Sequence, residues 1–137
     1  MSFGYSVGDI IVVSQLAIKV CLAYRDGPEN HRQISEEVEA LQFLIDDAKR
    51  CFENTTLGSD VCKRGQKAMK GCQSVLEELY SLVEKYKDQA RTNVINRVKI
   101  SYEDFAKLRA RLTTNALLLT SFIDRFVIPT LPFGVLC

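Results

Sequence analysis

The chain has 137 residues, the size of one ordinary domain with a single hydrophobic core. Hydrophobic residues make up 47% and charged residues 26%, a balance that excludes an intrinsically disordered chain. The formal net charge is only +1, so no overall field favours nucleic acid as a partner. Five cysteines without a CxxC pair favour reduced, mostly buried thiols in a cytosolic protein.

The first predicted helix, residues 7–26, is apolar on almost every side. From residue 10 to residue 24 the only polar residues are Ser14, Gln15 and Lys19. Such a helix belongs in a core, in a membrane or against a partner. The run is shorter and more interrupted than the roughly 20 apolar residues that span a bilayer. We therefore expect this helix to be buried in the resting protein.

Both ends of the first helix carry recognisable signals. Ser6 followed by Asp9 is typical of a helix N-terminus, and Gly27-Pro28 is typical of a helix end, with the glycine as C-terminal cap. No basic residues precede the apolar run, so the N-terminus does not resemble a secretory signal.

The second and third helices are predicted from amphipathic spacing. The second covers residues 29–54, and the third covers residues 60–90 with Ser59 or Asp60 as its cap. Their apolar stripes are formed by Ile34, Val38, Leu41, Ile45, Ala48 and Phe52, and by Ala68, Cys72, Val75, Leu79, Leu82 and Tyr86.

Two glycines, Gly65 and Gly71, lie within the third predicted helix. A glycine inside a helix costs about 1 kcal/mol relative to alanine, so we expect close helix contacts at both positions.

The fourth helix is predicted over residues 102–127, after a cap at Ser101 and before Pro129. Residues 91–100 either extend the third helix or form a polar loop, and residues 128–137 form a tail. The fourth stripe contains Phe105, Leu108, Leu112, Leu119, Phe122 and Phe126. Four such helices and no strand pattern predict a single all-α domain over residues 1–137, an antiparallel four-helix bundle with an apolar N-terminal helix.

Charge is distributed unevenly along the chain. Residues 29–53 carry a net −4 and residues 85–111 a net +5. Attraction between neighbouring helices is the favoured interpretation, because the charges do not form one block. The alternative is a basic patch for anionic lipid or an acidic partner. Its candidate residues are Arg97, Lys99, Lys107, Arg109 and Arg111.

The sequence contains few residue patterns that are typical of catalytic, metal-binding or phosphate-binding sites. His31, beside Arg32, is expected to be an ordinary surface residue. No Cys/His spacing fits zinc and no glycine-rich loop fits a phosphate. The adjacent acids of the second helix lack the histidines of a di-metal bundle. We therefore expect no catalytic activity, no cofactor or metal, no small-molecule substrate and no nucleic acid partner.

Several segments in order resemble a known family. They are residues 1–9 with Leu16, Ala17 and Val20; Gly27-Pro28; Ile34 to Leu41; Cys72, Leu76 and Leu79; and residues 102–112, which read YEDFAKLRARL. Together they resemble the fungal N-terminal helical domains of STAND/NLR-type proteins, the HeLo, HeLo-like and SesA group. The resemblance covers nearly the whole chain.

This resemblance implies a four-helix domain at the N-terminus of an immune or incompatibility receptor. Related bundles are cell-death effectors whose first helix targets membranes, or self-association modules, and none brings catalytic residues. We expect a cytoplasmic protein that engages protein partners or copies of itself, and a membrane surface on activation. The candidate contact residues are Ile10, Ile11, Val13, Leu16, Ala17, Val20 and Leu22. The alternative is a non-toxic interaction or dimerisation module whose first helix is purely structural.

Overall fold

The residues that the structure describes form a bundle of four helices. The computed structural model describes residues 7–54, 58–92 and 102–130, except for some side chains near the helix ends. The helices are α1 (Val7–Arg25), α2 (Glu29–Asn54), α3 (Ser59–Thr92) and α4 (Tyr102–Thr130), and the described ranges contain no strand. The predicted all-α four-helix bundle with an apolar N-terminal helix is therefore confirmed.

The helices occupy the corners of a square. α1 packs on α2 and α3, and α4 packs on the same two helices, so α1 and α4 lie diagonally opposite, as do α2 and α3. Ser14 meets Asp46 and Cys21 meets Ser35, so α1 and α2 run antiparallel. α2 and α4 run parallel, since Glu37 meets Arg109 and Phe52 meets Phe122.

The core consists of the stripes predicted from helical spacing. Each helix contributes fully or almost fully buried apolar side chains, and α1 contributes Ile10, Val13, Ala17 and Val20. Of the predicted stripe residues, Phe52 and Leu82 are only partly buried. The side chains of Tyr86 and Phe126 lie outside the description.

The turn between α1 and α2 lies where the sequence predicts it, but the reason for a glycine at position 27 differs from the predicted one. α1 ends at Arg25, and the Gly27 N–H donates to the Tyr24 carbonyl at 3.3 Å. Gly27 is not left-handed; a Cβ there would lie 2.7 Å from the His31 ring, so close approach explains the glycine. The Pro28 carbonyl accepts the N–H groups of His31 and Arg32 and begins α2.

Two predicted helix ends differ from the structure. The Gly58 carbonyl accepts the Cys62 N–H at 2.9 Å, so Gly58 caps α3 rather than Ser59 or Asp60. Glycine is acceptable at an N-cap. α4 continues to Thr130, past its predicted end before Pro129. A proline near the helix end fits the helical φ and removes only one hydrogen bond.

Other sequence predictions lie outside the described residues. These are the Ser6 and Ser101 caps, the turn at residues 55–57, the segment 93–100 and the tail from residue 131. Residues 91 and 92 belong to α3.

Gly65 and Gly71 both lie at close helix contacts, as expected, but they differ in what they touch. A Cβ on Gly65 would lie 2.7 Å from the Phe122 ring and 2.8 Å from the Phe52 ring. These two rings stack with centroids 5.3 Å apart, so neither can move alone. A Cβ on Gly71 would meet only the end of the Asn115 side chain.

We therefore expect Gly65→Ala to lower the free energy of unfolding by about 1–3 kcal/mol, because the stacked rings must shift. Gly71→Ala is expected to change it by less than about 1 kcal/mol, since the Asn115 amide can rotate away and alanine favours the helix. Urea unfolding of the two variants measures the difference. Equal effects at both positions would contradict this account of the α3 glycines.

Candidate interaction surface

α1 has one buried side and one exposed side. The candidate residues Ile10, Val13, Ala17 and Val20 are fully buried in the core. Leu16 is half-buried against it. The expectation that α1 is buried in the resting protein therefore holds for one side only, because α1 occupies a corner of the square and packs on two helices.

The exposed side of α1 includes residues that the sequence analysis did not select. Ile11 and Leu22 were candidates, and their exposed fractions are 40% and 51%. Val12 and Ile18 were missed, with exposed fractions of 55% and 41%. We call these four residues the α1 outer face. Ile11, Ile18 and Leu22 follow one side of the helix at spacings of seven and four.

Polar residues on α1 give the only sequence signal for this face. Gln15 and Lys19 are both exposed; Gln15 lies four residues after Ile11, and Lys19 lies four residues after Gln15. The exposed side of α1 therefore includes the polar residues that interrupt its apolar sequence. Ser14, the third polar residue, instead donates a 3.0 Å hydrogen bond to Asp46 of α2.

Two buried hydrogen bonds fix the C-terminal half of α1. The Tyr24 hydroxyl donates to the Leu79 carbonyl of α3 at 2.7 Å. The Ser35 hydroxyl of α2 donates to the Cys21 carbonyl at 2.8 Å. Burial raises the pKa of Tyr24, so this hydroxyl keeps its proton and remains a donor.

The basic candidates do not form one free patch among the described residues. The Arg109 guanidinium binds Glu37 of α2, with Nε donating to Oε1 at 3.1 Å, and also reaches Gln33. Arg111 pairs with Glu78 of α3 and donates to Ser74 at 3.2 Å. Attraction between neighbouring helices therefore accounts for these two arginines. Lys107 is exposed.

The remaining basic candidates, Arg97 and Lys99, lie outside the described residues.

His31 is buried, so its predicted surface position is wrong. Only 6% of the residue is exposed. Its ring lies 5.2 Å from the Tyr24 ring and 5.3 Å from the Phe105 ring, measured between centroids. Burial lowers the pKa of His31, because the charged imidazolium is poorly solvated there. Helix packing brings α4 over the start of α2 and covers this residue.

The cysteine thiols are suited to packing. Cys21, Cys51, Cys62 and Cys72 are all free, and Cys21 and Cys72 are buried. Burial raises the pKa of Cys72 to about 12. A thiol that stays protonated is a poor nucleophile and metal ligand. Within the described residues, no group of three or more His, Cys, Asp or Glu could hold a metal ion.

α1 meets the length and composition expected of a membrane-spanning helix. It has 19 residues, and it is the one described helix that passes this test. This finding disagrees with the sequence argument that the segment is too short to span a bilayer. Core helices of soluble proteins also pass the same test, and one side of α1 is buried in the bundle.

Comparisons of the chain with protein-family models, with curated proteins and with solved structures found no match. The resemblance to fungal receptor domains remains a prediction from the sequence.

Proposed function

We propose that this chain is an N-terminal signalling bundle of a fungal STAND/NLR-type immune or incompatibility receptor, acting in the cytoplasm by self-association through the α1 outer face. The observation that carries the proposal is the exposure of four large apolar side chains on one helix. Contiguous apolar surface of this kind on a soluble domain marks interaction sites. The resemblance of the sequence adds the class of receptor.

The test replaces two exposed residues of the α1 outer face. Ile18→Glu with Leu22→Glu places two charges where the contact between copies would form. Both side chains are at least 41% exposed, so the folded monomer tolerates them. Leu16→Glu is a poorer choice, because Leu16 packs partly against the core.

We expect the double variant to weaken self-association by at least about tenfold, since an unpaired charge is costly in an apolar contact. Light scattering at increasing protein concentration measures this. Leu117→Glu is the matched control, because Leu117 is 65% exposed on α4, diagonally across the bundle from α1. A wild-type protein that stays monomeric at high concentration, or an unaffected double variant, would contradict the proposal.

Membrane engagement of α1 is a second candidate, favoured by the length and apolar composition of this helix. In this alternative α1 leaves the bundle on activation and acts as a cell-death effector. Flotation with anionic vesicles distinguishes the two candidates. Binding by the wild type that Ile18→Glu with Leu22→Glu removes would support the effector. Self-association without vesicle binding would support a non-toxic interaction module.

A further inference from the structure

The outer surface of α2 combines negative charge with an exposed aromatic ring. Glu36, Glu39 and Phe43 are spaced three and four residues apart and therefore share one side of the helix. Phe43 is 61% exposed, although phenylalanine is usually buried. Arg25 and Arg32 line the same shallow recess as the two glutamates, and Arg32 is paired with Glu29. Neither glutamate forms an ion pair within the described residues. We call these three residues the acidic face.

A recess between α3 and α4 has the opposite character. Its volume is about 270 Å³, and its lining residues are Arg64, Lys67, Ala68, Leu118, Ser121 and Phe122. Arg64 and Lys67 are exposed, and neither has an ion-pair partner in the part of the chain that the structure describes. Leu118 is 49% exposed at the recess, which adds unpartnered apolar surface beside the two cations. We call this site the basic recess.

The two surfaces lie on different sides of the bundle. α2 and α3 occupy opposite corners of the square, so the acidic face and the basic recess cannot meet within one molecule. Contact between two different surfaces of the same chain is heterologous, and it continues from copy to copy unless the rotation closes a ring.

We propose that the basic recess of one molecule receives the acidic face of a second copy, with the Phe43 ring against the apolar floor of the recess. The glutamates of the acidic face then lie beside Arg64 and Lys67. The complementary charges orient the two copies, and the buried ring supplies apolar contact. This contact is separate from the α1 outer face and goes beyond the function proposed above.

A protein partner fits the basic recess better than an anionic membrane does. Lys63 and Lys70 are also exposed and extend the basic surface along α3, which alone would suit anionic lipid. A flat membrane surface, however, cannot fill a recess between two helices. The same chain also carries the complementary acidic face, with an exposed ring to enter the recess.

Charge reversal tests this contact in solution. The first variant, Glu36→Lys with Glu39→Lys, makes the acidic face basic. The second, Arg64→Glu with Lys67→Glu, makes the basic recess acidic. Each alone is expected to weaken association by at least about tenfold in sedimentation experiments at low salt, because like charges then face each other. Phe43→Ala is expected to do the same without any change of charge.

Mixing the two reversal variants in equal amounts is the decisive measurement. Each variant retains one natural surface that fits the other variant, and the two reversed surfaces are also complementary. We therefore expect the mixture to recover wild-type association. Glu77→Lys with Glu84→Lys on α3 is the matched control for net charge, and it should leave the sedimenting mass unchanged. Circular dichroism melts establish that each variant folds.

Four outcomes would overturn the proposal. Both reversal variants could associate like the wild type, or the mixture could fail to recover association although both variants fold. The recess variant could instead lose binding to phosphatidylserine-containing vesicles with no change of mass, which would assign the recess to a membrane. Association that depends on Ile18 and Leu22 but not on these charges would leave the proposed function standing and remove this contact.

Discussion

Replacing Tyr24 with alanine is expected to lower the free energy of unfolding by about 3–5 kcal/mol, as for other buried aromatic residues. The Tyr24 side chain is fully buried and contacts the rings of His31 and Phe105. The substitution removes that packing and also leaves the Leu79 carbonyl without its hydroxyl donor. Chemical denaturation followed by circular dichroism measures the loss.

Tyr24→Phe separates the hydrogen bond from the packing. It keeps the ring and is expected to cost only about 1 kcal/mol, the usual value for one hydrogen bond. Hydrogen exchange should show the effect first in the last turns of α1. A phenylalanine variant as unstable as the alanine variant would assign most of the stabilisation to the hydroxyl.

Acidification is expected to destabilise the bundle through His31. Its pKa is lowered in the folded protein, so the unfolded chain binds a proton first as the pH falls. Stability should therefore be constant above the unfolded pKa of about 6.5 and decline below it. One histidine contributes a slope of at most about 1.4 kcal/mol per pH unit. Thermal melts between pH 7.5 and pH 5 measure this slope.

His31→Phe is the matched variant for this prediction. An aromatic ring fits between Tyr24 and Phe105 without a titrating group. The variant should lose most of the pH dependence in this interval and keep the fold. Identical slopes in the wild type and the variant would mean that other groups govern the acid response.

Periodicity predicted the fold well where the helices are amphipathic. In α2, α3 and α4 the stripe at spacings of three and four is the buried side, because only one side of each helix is apolar enough to enter the core. The antiparallel hairpins also follow from this pattern, since short connections join consecutive helices.

Periodicity could not orient α1, because nearly all of its sides are apolar. Which side is exposed depends on the number of neighbouring helices, and α1 has two. Val12 and Ile18 were missed for this reason, whereas Ile10 and Val13 were selected for a surface and lie in the core.

The surroundings of His31 and Arg109 depend on contacts that are distant in sequence. His31 has polar neighbours along the chain, but Phe105 of α4 packs against its ring. Arg109 pairs with Glu37, 72 residues away, because α2 and α4 are adjacent in the square. Local sequence contains no signal for the neighbour of each helix, so neither environment could be predicted.

The two buried hydrogen bonds that hold α1 have an implication for sequence variation. Tyr24 donates to a main-chain carbonyl of α3, and Ser35 donates to a main-chain carbonyl of α1. Every amino acid carries that acceptor, so substitution of the acceptor residue cannot delete the acceptor atom. Each of these hydrogen bonds therefore depends on the identity of one residue only, the donor. Mutations that remove these two hydrogen bonds should therefore concentrate at positions 24 and 35.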